Sequence, residues 1–158
     1  MRWFVIIAID LDGTLVDDSH AYDDLTTPLR LKPNAREALL SLKKAGHRLV
    51  LWSARASRSL LKGPEFDILV RAGVKKANEK TWERTKELHQ ARYIQMIDFV
   101  EEELDGVFDA IDDGLSGKPA GVDLFIDDRA IRFGEGPLAV DWVTIAQMYG
   151  EPAYSEST

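Results

Sequence analysis

Two carboxylates, two residues apart, directly follow an apolar stretch near the start of the chain. Asp10 and Asp12 come after the apolar run 3–9, and Gly13 permits a tight backbone turn behind them. A carboxylate can attack phosphorus and form an aspartyl-phosphate. A second carboxylic acid beside it can protonate the leaving oxygen and later take a proton from water. The pair is therefore suited to phosphoryl transfer.

Later polar residues supply the other groups that this chemistry needs. Asp127 and the first two carboxylates offer an all-oxygen set suited to Mg²⁺, which would offset repulsion between a carboxylate nucleophile and phosphoryl oxygens. Ser53 is suited to a hydrogen bond with a phosphoryl oxygen, and Lys118 to a balancing positive charge. Each is ordinary alone, because a serine after a strand often caps a helix and a loop lysine is usually solvated. Their assignment depends on the elements that bring them together.

Apolar runs alternate with helical patterns, which predicts an α/β sandwich with a mainly parallel sheet. Right-handed crossovers place the carboxyl ends of parallel strands at one edge, where ligands bind in such sheets. The aspartates and Ser53 all follow predicted strands, so we expect them to converge there. The predicted strands are 3–9, 49–52, 107–111 and 122–126; the predicted helices are 34–45, 55–62, a short helix ending at 72, and 79–104; a last strand or helix is predicted in 138–149.

Four short motifs resemble, in the expected order, the four motifs of the haloacid dehalogenase (HAD) superfamily of phosphohydrolases. The resemblance covers roughly residues 3–130 and implies a three-layer Rossmann-like sandwich. The motifs are Asp10-Leu11-Asp12-Gly13-Thr14-Leu15, Leu51-Trp52-Ser53-Ala54-Arg55, Gly117-Lys118-Pro119 and Phe125-Ile126-Asp127-Asp128.

The resemblance also implies a role for each acidic residue. Asp10 would be the nucleophile and Asp12 the general acid/base. Mg²⁺ would be held by the side chains of Asp10 and Asp127 and by the backbone carbonyl of Asp12, with Asp128 supporting the metal site. Phosphatases need the acid at the second position and the dehalogenase branch does not. The resemblance therefore implies a Mg²⁺-dependent phosphatase that hydrolyses a phosphorylated substrate.

A second acidic pair leaves one assignment open. Asp112 and Asp113 also follow an apolar strand, and if they were the metal motif another lysine would have to replace Lys118. We favour the later pair, because its strand is more apolar and its lysine is better placed. Asp112 and Asp113 are then loop carboxylates near the mouth of the site. The replacement lysines would be Lys75, Lys76 or Lys80.

Two arginines and two tryptophans lie close to the motifs or on the long predicted helix. Arg55 and Arg129 adjoin two motifs and are suited equally to a substrate anion and to a structural ion pair. Trp52 is most simply a core residue. Trp82, on the helix 79–104, fits either the core or a substrate-facing position.

The motif spacing leaves no room for a large cap domain. About 40 residues separate Asp10 from Ser53, enough for a flap at 16–34 and one helix. We predict one domain over 1–150 and a flexible tail over 151–158. The flap and the helix 79–104 are the candidate lids. An open site of this kind suits a bulky substrate, unless a partner subunit closes it.

Length and charge narrow the functional class. A chain of 158 residues predicts one domain, and 20 basic against 27 acidic residues give a net charge of −7, which disfavours a nucleic-acid partner. The chain has no cysteine, which excludes thiolate metal sites and a cysteine nucleophile. No apolar stretch approaches the ~18 residues that span a membrane. We expect a soluble, cytoplasmic protein without a membrane partner.

Two alternative functions use the same residues. A phosphotransferase or mutase would share the aspartyl-phosphate but pass the group to an acceptor in preference to water. A binding or regulatory module on the same fold would have no need of the carboxylate pair, so intact Asp10 and Asp12 count against it.

Overall fold

Four short parallel strands form the sheet in the computed structural model, which describes residues 4–57, 59–115, 117–129 and 142–150. The strand order is β3-β2-β1-β4, and every neighbouring pair is parallel. β1 is therefore central, with β2 and β4 beside it. The strands are β1 (Ile6–Ile9), β2 (Arg48–Leu51), β3 (Ala110–Ile111) and β4 (Leu124–Ile126).

The strand register explains which side chains enter the core. Ile9 of β1 lies beside Leu51 of β2 and Ile126 of β4, and all three are buried. Successive side chains of a strand point to opposite faces, so Ala8 and Phe125, which are paired in register, lie on the other face. Asp10 and Asp127 continue that alternation beyond the strand ends, on the side of Ala8 and Phe125.

Five helices flank the sheet in the described part of the chain. The first has buried residues at the i, i+3, i+4 and i+7 positions that its sequence predicts, namely Ala35, Ala38, Leu39 and Leu42, and it ends before Gly46, whose φ is 87°. The helices are α1 (Ala35–Lys44), α2 (Ser59–Lys62), α3 (Ile68–Arg71), α4 (Glu79–Glu103) and α5 (Trp142–Tyr149), and 3₁₀ turns lie at Ala54–Ala56 and Pro64–Phe66.

The predicted α/β class with a parallel sheet is confirmed, and the arrangement is compatible with a Rossmann-like sandwich. The described residues form no cap domain. The segment 17–34 contains no helix or strand, as predicted for a flap. It is held at its base, where Val16 bridges Leu31 and the Lys32 amide donates to the Leu15 carbonyl at 2.8 Å.

Several predicted boundaries were wrong for local reasons. The strand at 107–111 is reduced to β3, because Val107 closes a turn onto Leu104 and the Asp109 side chain accepts from the Leu49 amide. The helix at 55–62 begins instead as a 3₁₀ turn. The end of 138–149 is helical, as α5, whereas residues 138–141 and the predicted tail 151–158 lie outside the described residues.

No helix among the described residues is long and apolar enough to cross a membrane.

The C-terminal helix α5 is tied to the loop that carries Asp10 and Asp12. Trp142 is buried, and its indole N–H donates to the Thr14 carbonyl at 3.0 Å. Ile145 on the next turn is buried in the same core. A contact between residues 128 positions apart in sequence therefore fixes the acidic loop from behind.

We expect Trp142→Phe to lower the free energy of unfolding by about 1–3 kcal/mol, because the substitution removes this hydrogen bond and leaves space in the core. Urea denaturation measures the effect. Met148→Ala, at an exposed position of the same helix, is the control and should change stability by less than about 0.5 kcal/mol. Equal stability of the two variants would contradict the assigned role of Trp142.

Candidate functional site

A cavity of about 550 Å³ opens at the carboxyl ends of the strands. The structure brings six of the predicted site residues to its wall, from positions as far apart in sequence as 10 and 128. Arg55 lies behind the wall. The lining residues are Asp10, Asp12, Trp52, Ser53, Ala54, Ser57, Asp112, Gly114, Gly117, Lys118, Asp127, Asp128 and Arg129.

Three carboxylates crowd together at this wall. Oxygen atoms of Asp10, Asp127 and Asp128 all lie within 4.8 Å of one another. The strand pairing causes this proximity, because the Asp10 amide donates to the Ile126 carbonyl at 2.9 Å. Burial, followed by repulsion from Asp127, raises the pKa of Asp10 to about 7. Burial also raises the pKa of Asp128, as does the hydrogen bond that its protonated form donates to Asp127.

The loop after β1 is shaped to hold this cluster. Gly13 has a φ of 79°, a backbone conformation that favours glycine, and a Cβ there would lie 2.8 Å from Oδ2 of Asp128, which would have to shift. The buried Thr14 joins the two acidic segments. Its hydroxyl accepts from the Asp128 amide at 2.9 Å and donates to Oδ2 of Asp10 at 3.3 Å. No function was predicted for Thr14 from the sequence, although its place in the first motif could have indicated one.

The cluster fits a divalent cation. Carboxylate oxygens are the ligands that Mg²⁺ prefers, and a shared cation would offset the repulsion that raises the pKa of Asp10 and Asp128. Asp128, predicted from the sequence only to support the metal site, lies within the same 4.8 Å cluster as Asp10 and Asp127.

The side chain of Asp12 is engaged elsewhere. Both of its oxygens accept from the guanidinium of Arg55, at 2.7 Å from Nε and 2.6 Å from Nη2. Arg55 is only 4% exposed, so this is a bidentate pair with one partner almost fully buried. Of the two functions left open for Arg55, the structure places it in an ion pair. Any metal contact from residue 12 is then left to its backbone carbonyl, as the resemblance implies.

Helix α4 supplies the other hydrogen-bond partners of Arg55 that the described residues show. Nη1 of Arg55 donates to the Arg92 carbonyl at 3.1 Å and to Oε1 of Gln95 at 2.8 Å. Arg92 lies 3.7 Å from Asp12 and 4.2 Å from the ring centre of Tyr22, on the predicted flap. The flap and α4, the two candidate lids, therefore meet beside Asp12. Arg92 and Gln95 were not predicted as site residues, because a charged helix face is usually solvated.

The other predicted site residues also lie at the cavity. Ser53 is buried at the wall, and its hydroxyl accepts from the Arg55 amide at 3.2 Å; it thus caps the 3₁₀ turn and keeps its own hydrogen to donate. Lys118 lines the cavity, and its ammonium lies 4.6 Å from the ring centre of Phe125. Arg129 and Asp112 also line the cavity.

The rival acidic pair is divided between two environments. Asp112 lies at the cavity wall, whereas Asp113 accepts from the Leu115 amide and is not among the lining residues. Lys75 and Lys76 line a different cleft beside α4, so neither can replace Lys118 in this arrangement. The side chain of Lys80 lies outside the described residues. Trp82 is buried, as one of its two alternatives predicted.

We expect Arg55→Met to lower the free energy of unfolding by about 3 kcal/mol, because it leaves Asp12 without its buried partner. Arg55→Lys should fall between this variant and the wild type, since an ammonium cannot form the paired contact. The control is Arg36→Met, which breaks the exposed pair with Glu103 and should change stability by less than about 1 kcal/mol. If the Met variants at positions 55 and 36 lose equal stability in urea denaturation, the pair does not support the fold.

The raised pKa of Asp10 predicts a pH dependence of stability in the metal-free protein. The folded state keeps this proton to about pH 7, whereas the unfolded chain loses it near the ordinary value of 3.8. The folded state thus binds more protons in this interval, so its free energy of unfolding falls as the pH rises from about 4 to about 7.

Urea denaturation in the presence of a chelator across that interval measures this slope. Asp10→Asn should show a smaller decrease than the wild type, and the exposed Asp105→Asn should keep the wild-type slope. If Asp10→Asn shows the same slope as the wild type, the pKa of Asp10 is not raised in the folded protein.

Comparisons with known proteins assign no family to the chain. No family model matches it, and no curated protein is significantly similar to it. Among solved structures, it is similar to a chain described as "Structure of the conserved protein coded by locus from Bacteroides thetaiotaomicron". That chain is 24% identical, with 91% of this chain and 88% of that chain covered, at a TM-score of 0.43. A likeness at this level defines neither a fold nor an activity.

Proposed function

We propose that the protein is a Mg²⁺-dependent phosphatase that hydrolyses a phosphate monoester through an aspartyl-phosphate on Asp10. The observation that carries the proposal is the cluster of Asp10, Asp127 and Asp128 in a cavity that also contains Ser53 and Lys118. The four motifs that resemble those of the HAD superfamily support it. On this proposal the protein is a small member of that superfamily without a large cap.

The reaction has two steps at phosphorus. A carboxylate oxygen of Asp10 forms a bond to phosphorus while the bond to the leaving oxygen breaks, and Asp12 gives a proton to that oxygen. Water then attacks phosphorus and loses a proton to Asp12, while the bond to Asp10 breaks and releases inorganic phosphate. Both carboxyl groups thereby return to their starting state.

The surrounding residues bind and orient the phosphoryl group. Ser53 donates a hydrogen bond to one oxygen, and Lys118 supplies positive charge at the same wall. Mg²⁺ bound by Asp10, Asp127 and Asp128 would supply the charge that offsets repulsion between the attacking carboxylate and the phosphoryl oxygens.

The ion pair with Arg55 gives Asp12 surroundings different from those of Asp10. Asp10 lies in a crowded acidic cluster, whereas Asp12 is oriented by a guanidinium that donates to both of its oxygens. In this arrangement both oxygens of Asp12 accept hydrogen bonds, so Asp12 is ionised. An ionised carboxylate can act as the base that takes a proton from water. To act first as an acid, Asp12 must carry a proton, and one of its contacts with Arg55 must weaken.

We expect metal-dependent hydrolysis of 4-nitrophenyl phosphate that a chelator abolishes and Mg²⁺ restores. Asp10→Asn should remove the activity, because the amide cannot form the intermediate. Asp12→Asn should lower kcat by about 10²–10⁴-fold, the usual contribution of a general acid/base. The loss should be larger for phenyl phosphate, whose leaving oxygen needs a proton more than 4-nitrophenolate does.

Asp105→Asn is the matched control and should retain wild-type activity, because Asp105 is exposed and is not a lining residue of the cavity. Full activity in Asp10→Asn would overturn the proposed nucleophile. Transfer of the phosphoryl group to an added alcohol in preference to water would indicate a phosphotransferase or mutase. Mg²⁺ binding without turnover of any monoester would favour a binding module.

A further inference from the structure

Trp52 is predicted from sequence as a core residue, but the structure places it at the cavity wall. It directly follows β2, and its amide donates to the Ile9 carbonyl at 2.9 Å, so its backbone is fixed beside the end of β1. Its side chain is only partly buried and lines the cavity together with Asp10 and Lys118. An aromatic side chain therefore shares the cavity with the proposed nucleophile.

The indole ring of Trp52 is held in a defined orientation. It meets the Phe125 ring edge-on, with ring centres 5.3 Å apart and an angle of 69° between the planes. The small side chain of Ala8 lies between β2 and β4 in the register and leaves room for the two rings to meet above β1. The Lys118 ammonium lies over the same Phe125 ring. The ring of Trp52 is therefore held at the cavity wall by its contact with Phe125.

The cavity is larger than a phosphoryl group requires. Its volume of about 550 Å³ falls within the range of sites that enclose an organic ligand of moderate size. The neighbours of Trp52 at the wall, Ala54 and Ser57, have small side chains, so they do not fill the space beside the indole. The cavity therefore has room for a group larger than phosphate.

We propose that Trp52 is a platform on which a planar aromatic part of the substrate stacks, so that the enzyme acts on phosphate monoesters of aromatic compounds. This inference depends on the proposed function, because it names the substrate class of the same site. The shared chemistry is a phosphate joined to a planar ring, either directly, as in an aryl phosphate, or through a sugar, as in a nucleotide. Stacking of a base on an aromatic side chain contributes about 1–3 kcal/mol, which corresponds to about 5- to 150-fold in affinity.

The test compares phenyl phosphate, adenosine monophosphate and glycerol 3-phosphate as substrates in the presence of Mg²⁺. We expect Trp52→Leu to lower kcat/KM for at least one aromatic substrate by about 5- to 150-fold, with less than about twofold change for glycerol 3-phosphate. Trp52→Phe should retain most of the preference, because it keeps a ring. A loss confined to adenosine monophosphate would identify the nucleobase as the stacked group, and one confined to phenyl phosphate would identify the aryl ring.

The control is Phe66→Leu, which removes an exposed aromatic ring that is not among the lining residues of the cavity and should leave all three substrates unchanged. An equal loss for aromatic and aliphatic substrates in Trp52→Leu would overturn the platform and leave the proposed phosphatase intact.

A binding measurement separates the two proposals. Phenylphosphonate and methylphosphonate cannot be hydrolysed as esters, and calorimetry gives their Kd in the presence of Mg²⁺. We expect the phenyl compound to bind at least about fivefold more tightly to the wild type, and this difference to disappear in Trp52→Leu. This result without turnover of any ester would support the platform and overturn the phosphatase. Equal binding of both compounds to the wild type would overturn the platform whatever the activity.

Discussion

Repulsion among the carboxylates of Asp10, Asp127 and Asp128 is the constraint on which the other features of the site depend. The parallel pairing of β1 with β4 brings them together, and their burial raises the pKa of Asp10 and Asp128. The hydroxyl of Thr14 links two of them, and α5 holds the Thr14 carbonyl from behind. A cation bound among the three carboxylates would offset their repulsion.

Arg55 separates the second motif carboxylate from this cluster. Asp10 and Asp12 are two residues apart, yet one is surrounded by like charges and the other is bound by a buried guanidinium. On the proposed function, this difference in surroundings fits Asp10 as the nucleophile and Asp12 as the general acid/base. Helix α4 supplies the contacts that hold Arg55, so a helix far along the chain contributes to the position of Asp12.

Local patterns in the sequence were sufficient to predict the helices and strands whose position depends on contacts between neighbouring residues. The apolar run around β1 and the i, i+3, i+4 spacing of α1 predicted both elements, because burial of one face is visible in the residue order itself. The strand at 107–111 was predicted too long. The Asp109 side chain accepts a hydrogen bond from the Leu49 amide of β2, and no local pattern in the sequence shows this contact. Trp52 was predicted as core, because hydrophobicity does not tell a cavity wall from an interior.

The sequence by itself determined which groups are available: carboxylates after apolar strands, a serine after β2, a loop lysine, and an α/β alternation that directs the strand ends to one edge. Only the tertiary structure decided how they are combined. It placed Asp128 with Asp10 and Asp127, paired Asp12 with Arg55, and turned Trp52 toward the cavity. The physical reason is that these contacts join residues tens of positions apart, so strand order and helix packing determine them and local residue spacing does not.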